Sequence, residues 1–231
     1  MELLNPTEVF LLKAALGTSI AYGAQRVLSY ATQKPHDPLI PGLNRSSQSR
    51  SRMTITPTRS IKKGLVQNSK QCIYFYGSQT GTAEKLASIL TKEAKNRFGI
   101  EGLIADLDDY DYGDLLSLPE HYVVVFLLAT YGEGEPTDNA IAFERYLANL
   151  PSTVDATAGN LHYASFGLGN SSYQFYNEMI KRVDSTLSSI GASRIGAVGL
   201  GDGGKGTLED DFLAWKDKML PLLAKHLGLV E

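Results

Sequence analysis

Cys72-Ile73-Tyr74-Phe75-Tyr76-Gly77-Ser78-Gln79-Thr80-Gly81-Thr82-Ala83-Glu84 is the stretch whose reading decides the fold. Ile73 to Tyr76 are β-branched or aromatic and predict a short strand. From Ala83 onward, Leu86, Ala87, Ile89 and Leu90 follow helical spacing, which predicts a helix over 83–98. The turn between them carries the hydroxyls of Ser78, Thr80 and Thr82, and Gly77 and Gly81 let the backbone turn tightly. A loop that feeds a helix N-terminus presents unpaired N–H groups and the positive end of the helix dipole to one point, which suits a phosphate. No Lys or Arg lies in the loop, so it is not the Gly-Lys-Ser/Thr cradle of nucleoside triphosphatases. A hydroxyl-lined site without cations matches one phosphate monoester better than a triphosphate with Mg²⁺. The same residues equally suit a plain capped turn with Thr82 as the N-cap.

Outward from this stretch, strand and helix patterns alternate. Residues 102–106 predict a short strand, followed by an acidic connection over 108–114. His121-Tyr122-Val123-Val124-Val125-Phe126-Leu127-Leu128-Ala129 is an almost unbroken apolar run, the mark of a central parallel strand covered on both faces. Residues 138–150 predict an amphipathic helix stopped by Pro151, 161–166 a strand, 173–190 a helix, 194–199 a fifth strand and 208–227 a closing helix. Five strands with intervening helices predict an α/β fold, an open doubly wound five-stranded parallel sheet. Ligands of such sheets bind beyond the carboxyl ends of the strands, near the topological switch point. There the loops are rich in glycine, and two of them present tyrosines, Tyr131 and Tyr173. Tyrosines on neighbouring loops are placed to stack on both faces of a planar ring system.

The net charge of −3 hides an asymmetry. Between Pro38 and Ala83 stand seven basic residues (Arg45, Arg50, Arg52, Arg59, Lys62, Lys63, Lys70) and no acidic one, whereas Glu84 to Glu231 holds 22 acidic against 12 basic residues. So acidic a domain is a poor match for nucleic acid. The single cysteine, Cys72, excludes an internal disulfide and fits a reducing compartment, and its place in a strand predicts a buried, inert thiol. His36, His121, His162 and His226 lack ligand spacing, so no metal site is expected. Residues 1–33 contain a candidate membrane anchor at 9–31, interrupted by Lys13 and Arg26, which are placed to snorkel from its two ends. A peripheral amphipathic helix or an organellar transit peptide remains open, though Glu2 and Glu8 weigh against the latter. If the segment inserts, the basic flank after it stays cytoplasmic. Residues 34–69, rich in Pro, Ser, Thr and Arg, predict a flexible tether, solvated or lying against anionic lipid headgroups. Residues 70–231 then form the α/β domain.

Three segments resemble the FMN-binding, flavodoxin-like domain of the diflavin reductases: Tyr76-Gly77-Ser78-Gln79-Thr80-Gly81-Thr82-Ala83-Glu84, then Ala129-Thr130-Tyr131-Gly132-Glu133-Gly134 with Pro136-Thr137-Asp138-Asn139-Ala140, and Phe166-Gly167-Leu168-Gly169-Asn170. Gly206-Thr207-Leu208-Glu209-Asp210-Asp211-Phe212-Leu213-Ala214-Trp215-Lys216 is similar to the fungal P450-reductase branch of that family, and the likeness covers about 71–227. The resemblance implies that Ser78, Gln79, Thr80, Gly81, Thr82 and Ala83 hold the FMN phosphate. It implies that Ala129, Thr130, Tyr131 and Gly132 run along the isoalloxazine, with Tyr131 on one face. Leu168, Gly169, Asn170, Ser171, Ser172, Tyr173, Gln174, Phe175, Tyr176 and Asn177 would form the other wall, with Tyr173 stacked on the opposite face, and Asp202 would stand nearby.

By the same resemblance, the chain passes single electrons from an FAD/NADPH-binding module to cytochrome P450 and other haem proteins at the cytoplasmic face of the endoplasmic reticulum membrane. FAD and NADPH act only through a half outside these 231 residues, and no residue of this chain is assigned a catalytic role. Asp202, Glu133 and Glu135 are expected to lower the potential of the last reduction step. Glu209, Asp210 and Asp211, with Asp108, Asp109, Asp111 and Asp114, are expected to dock basic acceptors. A solvated acidic surface is the alternative. The family pattern has a second acidic residue after Asp202, where this chain has Gly203 with Lys205 nearby. Other readings are the FMN domain of a sulfite-reductase-type enzyme, a non-catalytic form that binds FMN and P450, and a plain flavodoxin.

Overall fold

Hydrophobic periodicity sets the order of elements in the computed structural model, which describes residues 58–150 and 158–230. A short helix α1 (Ile61–Gln67) precedes strand β1 (Cys72–Gly77), helix α2 (Thr82–Phe98) and strand β2 (Gly102–Asp106). Strand β3 (Val123–Tyr131) doubles back as a two-residue β4 (Glu135–Pro136) and leads to α3 (Ile141–Asn149). Then come β5 (His162–Gly169), α4 (Glu178–Ser189), β6 (Ser193–Arg194), β7 (Gly199–Asp202) and α5 (Leu208–His226). The sheet runs β2-β1-β3-β5, with β6 and β7 both pairing β5. Every pairing is parallel except that of β4, which lies antiparallel on the end of β3.

Alternation along the central strands divides the core into two layers. Ile73 and Phe75 of β1, with Val124, Phe126 and Leu128 of β3, face α1, α3 and α4. Cys72 and Tyr74, with Val123, Val125 and Leu127, face α2 and α5. Each of these strand residues is fully buried, which is why the apolar run of β3 shows no polar alternation. The expected doubly wound α/β sheet is therefore present. Helices cover both of its faces, and the carboxyl ends of β1, β3, β5 and β7 gather on one edge.

Several boundaries differ from expectation. The tether assigned to 34–69 ends earlier, because α1 is helical and buries Ile61 and Leu65. Seven residues with a central Gly64 are too few to show a period, and the helix is fastened from outside. Ser60 caps Lys63 N–H at 3.1 Å, while the Asp114 carboxylate accepts from the Ser60 hydroxyl (2.6 Å) and from the N–H groups of Ile61 (3.3 Å) and Lys62 (3.0 Å). The expected fifth strand is broken into β6 and β7 around Gly196, whose φ of 74° is a left-handed value that no strand continues through. The helix expected from Tyr173 begins at Glu178, because Asn177 takes φ 55° and halts it. The candidate anchor at 9–31 lies outside the described residues, and among those described no helix is long and apolar enough to cross a membrane.

Candidate functional site

At the edge formed by the strand ends, the loops after β1, β3 and β5 enclose a cleft of about 640 Å³. Ser78, Thr80 and Thr82 line one end. The N-cap of α2 is Gly81, with φ 82° and no side-chain cap, so the expected cap role of Thr82 is not realised. Only a residue at ease in the left-handed region turns the chain here, and as the N-cap it brings no side chain of its own to the first N–H groups of α2. The Ala83 N–H reaches the Ser78 hydroxyl at 3.3 Å, and the Thr80 and Thr82 hydroxyls pair at 3.1 Å. Amide donors, hydroxyls and a helix dipole without any cation suit a single phosphate monoester.

The β3–β4 hairpin forms one wall. Ala129, Thr130, Tyr131 and Gly132 line the cleft, and the Thr130 hydroxyl oxygen accepts from Met179 N–H at 3.1 Å, which ties this wall to α4. Arg182 anchors the hairpin tip by donating to the Gly134 carbonyl (3.3 Å) while it pairs with Glu144 (2.7 Å). The loop after β5 forms the other wall through Leu168, Gly169, Asn170, Tyr173 and Phe175. Tyr131 and Tyr173 both line the cleft and are 58% and 67% exposed, far more than the tyrosines packed in the core, so neither ring is covered by the protein itself.

Other predicted site residues build the walls from behind. Gln79 turns away to Asp138, with its Nε2 donating to Oδ2 at 2.7 Å and Asp138 N–H donating to its Oε1 at 3.3 Å. Gly81 and Ala83 shape the turn, Ala83 from a fully buried position. Ser171, Ser172 and Gln174 are exposed on the loop, outside the cleft lining. The Tyr176 hydroxyl donates to the Leu200 carbonyl (3.2 Å), and buried Asn177 donates to the Gly201 carbonyl (3.1 Å), so both bind the wall to β7.

Asp202 is also a fastener. Its Oδ1 accepts the N–H groups of Ser171 (2.9 Å), Gly204 (3.0 Å) and Lys205 (3.4 Å), and Lys205 Nζ stands 3.3 Å from Oδ2. Those bonds, with Ser171 first, hold the carboxyl well below the usual carboxylate range. These donors keep the carboxylate ionised and tie it to its own loop, with the exposed Lys205 ammonium partly offsetting its charge.

Sequence reasoning also missed Leu208, which lines the cleft from the start of α5, and Asn139, which braces the first loop. The signal for Asn139 was its place in the stretch Pro136-Thr137-Asp138-Asn139-Ala140, which carried part of the resemblance without a role for this side chain. The acidic docking set is reduced as well. Asp114 caps α1, Asp111 pairs with Arg59 at 3.1 Å, and Asp211 accepts from Asp202 N–H (3.0 Å) and the Thr207 hydroxyl (2.8 Å). Glu209 lies 3.3 Å from Lys85.

Residues 75–215 match the family model described as flavodoxin, which begins within β1 and spans β2 to β7 and the cleft-forming loops. The chain belongs to the flavodoxin family. Within it, this flavodoxin domain is similar to the NADPH–cytochrome P450 reductase of Aspergillus oryzae, 41% identical over the whole chain and 33% of the relative. It is 47% identical to the reductase of Aspergillus fumigatus over 75% of this chain and 26% of that one. The chain thus spans about a third of the length of the first of these relatives. Among solved structures, a Streptococcus pneumoniae flavodoxin aligns with 68% of this chain and 97% of its own at a TM-score of 0.52 and 21% identity, a likeness of fold. Flavodoxins are themselves a standard case of a ligand seated at the β1/β3 switch point of a sheet in this order. Their cofactor is FMN. The α2 N-terminus with its glycine cap, the cation-free hydroxyl loop and the two exposed tyrosines of this domain fit its phosphate and its ring.

Proposed function

We propose that the chain is the FMN domain of a P450-reductase-like electron-transfer system, receiving electrons from an FAD/NADPH-binding module and passing them singly to a haem protein. The observation that carries this reading is the convergence on one cleft of an anion-ready helix terminus and two exposed tyrosines. FMN, when bound, supplies the one-electron chemistry, and the protein sets position and environment. In this reading the α2 N–H groups and the hydroxyls of Ser78, Thr80 and Thr82 receive the phosphate. Ala129 to Gly132 run along one edge of the ring, and Tyr131 and Tyr173 cover its faces and keep water from them. Burial of this kind is worth about 0.5–1.5 kcal/mol per aromatic pair beyond the area covered. The two tyrosines stay partly open to solvent, so the ring edge lies near the surface through which electrons enter and leave.

The names of the fungal relatives support cytochrome P450 as the acceptor class. The apolar segment 9–31 and the basic residues after it support a place at the cytoplasmic face of the endoplasmic reticulum membrane. Of the acidic residues, Asp108, Asp109, Asp111, Glu209 and Asp210 are exposed and remain suited to docking a basic acceptor, Asp111 and Glu209 from weak surface ion pairs. The test is reconstitution of the purified chain with FMN followed by addition of a separate FAD/NADPH module. A yellow 1:1 complex that NADPH reduces only with the module present is expected. A colourless protein that still binds P450 would instead support a non-redox role.

A further inference from the structure

Asn139 holds four groups at once. Its Oδ1 accepts from Ser78 N–H (3.1 Å) and the Thr137 hydroxyl (2.8 Å), and its Nδ2 donates to the Asp106 carboxylate (3.0 Å) and the Tyr76 carbonyl (3.4 Å). One side chain therefore joins the end of β1, the end of β2 and the first residue of the phosphate loop. The reciprocal pair between Gln79 and Asp138 repeats this fastening one residue further along. The packing leaves no slack at the root of the loop. A Cβ on Gly77 would lie 3.1 Å from both Leu128 Cδ2 and Thr137 Oγ1, and 3.2 Å from Ala140 Cβ.

These side chains do not face the cofactor cleft. Gln79, Asp138 and Asn139 line a separate hollow of about 250 Å³ on the far side of the loop, together with Asp106 and Glu84. Resting on the proposed FMN reading, we infer that Asn139 and the Gln79–Asp138 pair are positioning residues that preorganise the phosphate loop, so that the site discriminates FMN from unphosphorylated riboflavin through this clasp. A glycine-containing loop left free would have to be ordered by the ligand, at a cost in backbone entropy for every residue fixed. A loop ordered beforehand spares the ligand that cost, and only a ligand that uses the loop gains by it. The clasp also holds Asp106 and Asp138 by amide donors away from the cleft, out of the way of a phosphate dianion.

The consequence separates positioning from general support. Dissociation constants for FMN and riboflavin are to be measured on the wild-type chain, Asn139→Ala and Gln79→Ala. We expect Asn139→Ala to weaken FMN by about tenfold or more, the loss that one or two buried hydrogen bonds convert to. Gln79→Ala should weaken it by a smaller factor, with riboflavin affinity unchanged in both. Gln79 is exposed, so its variant carries the test if Asn139→Ala does not fold. Equal losses for both flavins, or unaltered FMN binding, overturn the clasp while leaving the cleft assignment intact. A wild-type chain that binds neither flavin overturns the cleft assignment and the clasp with it.

Discussion

Asp114→Ala tests whether the acidic stretch before β3 serves structure or docking. The carboxylate accepts from one hydroxyl and two N–H groups at the start of α1, where the helix dipole favours a negative charge. Ser60 still caps Lys63 after the change, so the loss is that of a strong cap, about 2 kcal/mol. Against this, α1 buries Ile61 and Leu65 completely, worth about 3–6 kcal/mol for the two. Packing therefore outweighs the lost cap, and α1 should stay docked. For a domain of this size, such a loss lowers Tm by about 4–8 °C. Urea unfolding should show a lower midpoint with an unchanged slope. Asp109→Asn, at an exposed position, should change the unfolding free energy by no more than about 0.5 kcal/mol. An Asp114→Ala protein with wild-type stability but slower electron delivery to a basic acceptor would refute the structural assignment and restore the docking one.

Two further outcomes follow from the cleft walls. Tyr173→Ala removes a largely exposed ring and should weaken FMN by about threefold to tenfold in a fluorescence titration, while leaving the unfolding midpoint nearly unmoved; a large stability loss with normal flavin binding would contradict the ring-wall role. Asp202 has its folded pKa below the ordinary carboxylate value, so its stabilisation is present above about pH 4 and is lost as the pH falls further. Asp202→Asn should therefore be less stable than wild type at pH 7, and the gap should begin to narrow below about pH 5 and close only well below pH 3, as the pH falls through the depressed folded value; a gap independent of pH would show that the buried charge contributes nothing.

The parts of this protein legible in its sequence are those that depend on local pattern. The strand and turn at Ile73 to Thr82, the apolar run from Val123, and the tyrosines beside glycine-rich loops each announce themselves within a dozen residues. What escaped depends on partners far along the chain. Asn139 reaches Ser78 across 61 positions, and Asp114 reaches Ile61 across 53, so no periodicity marks either. The fastening role of Asp202 escaped for a related reason. An aspartate among glycines reads as exposed, yet the three N–H groups that turn it inward belong to a neighbouring loop and to its own turn. The break at Gly196 was visible as a glycine but not as a left-handed one.

The central claim, a one-flavin relay, is tested most directly by mixing the FMN-loaded chain with a separate FAD/NADPH module, NADPH and cytochrome c, and following flavin and haem absorbance together. The account predicts no flavin reduction by NADPH alone, rapid reduction once the module is present, and haem reduction that requires the FMN-loaded chain and slows as salt rises. Haem reduction at the same rate with the chain stripped of FMN would contradict it.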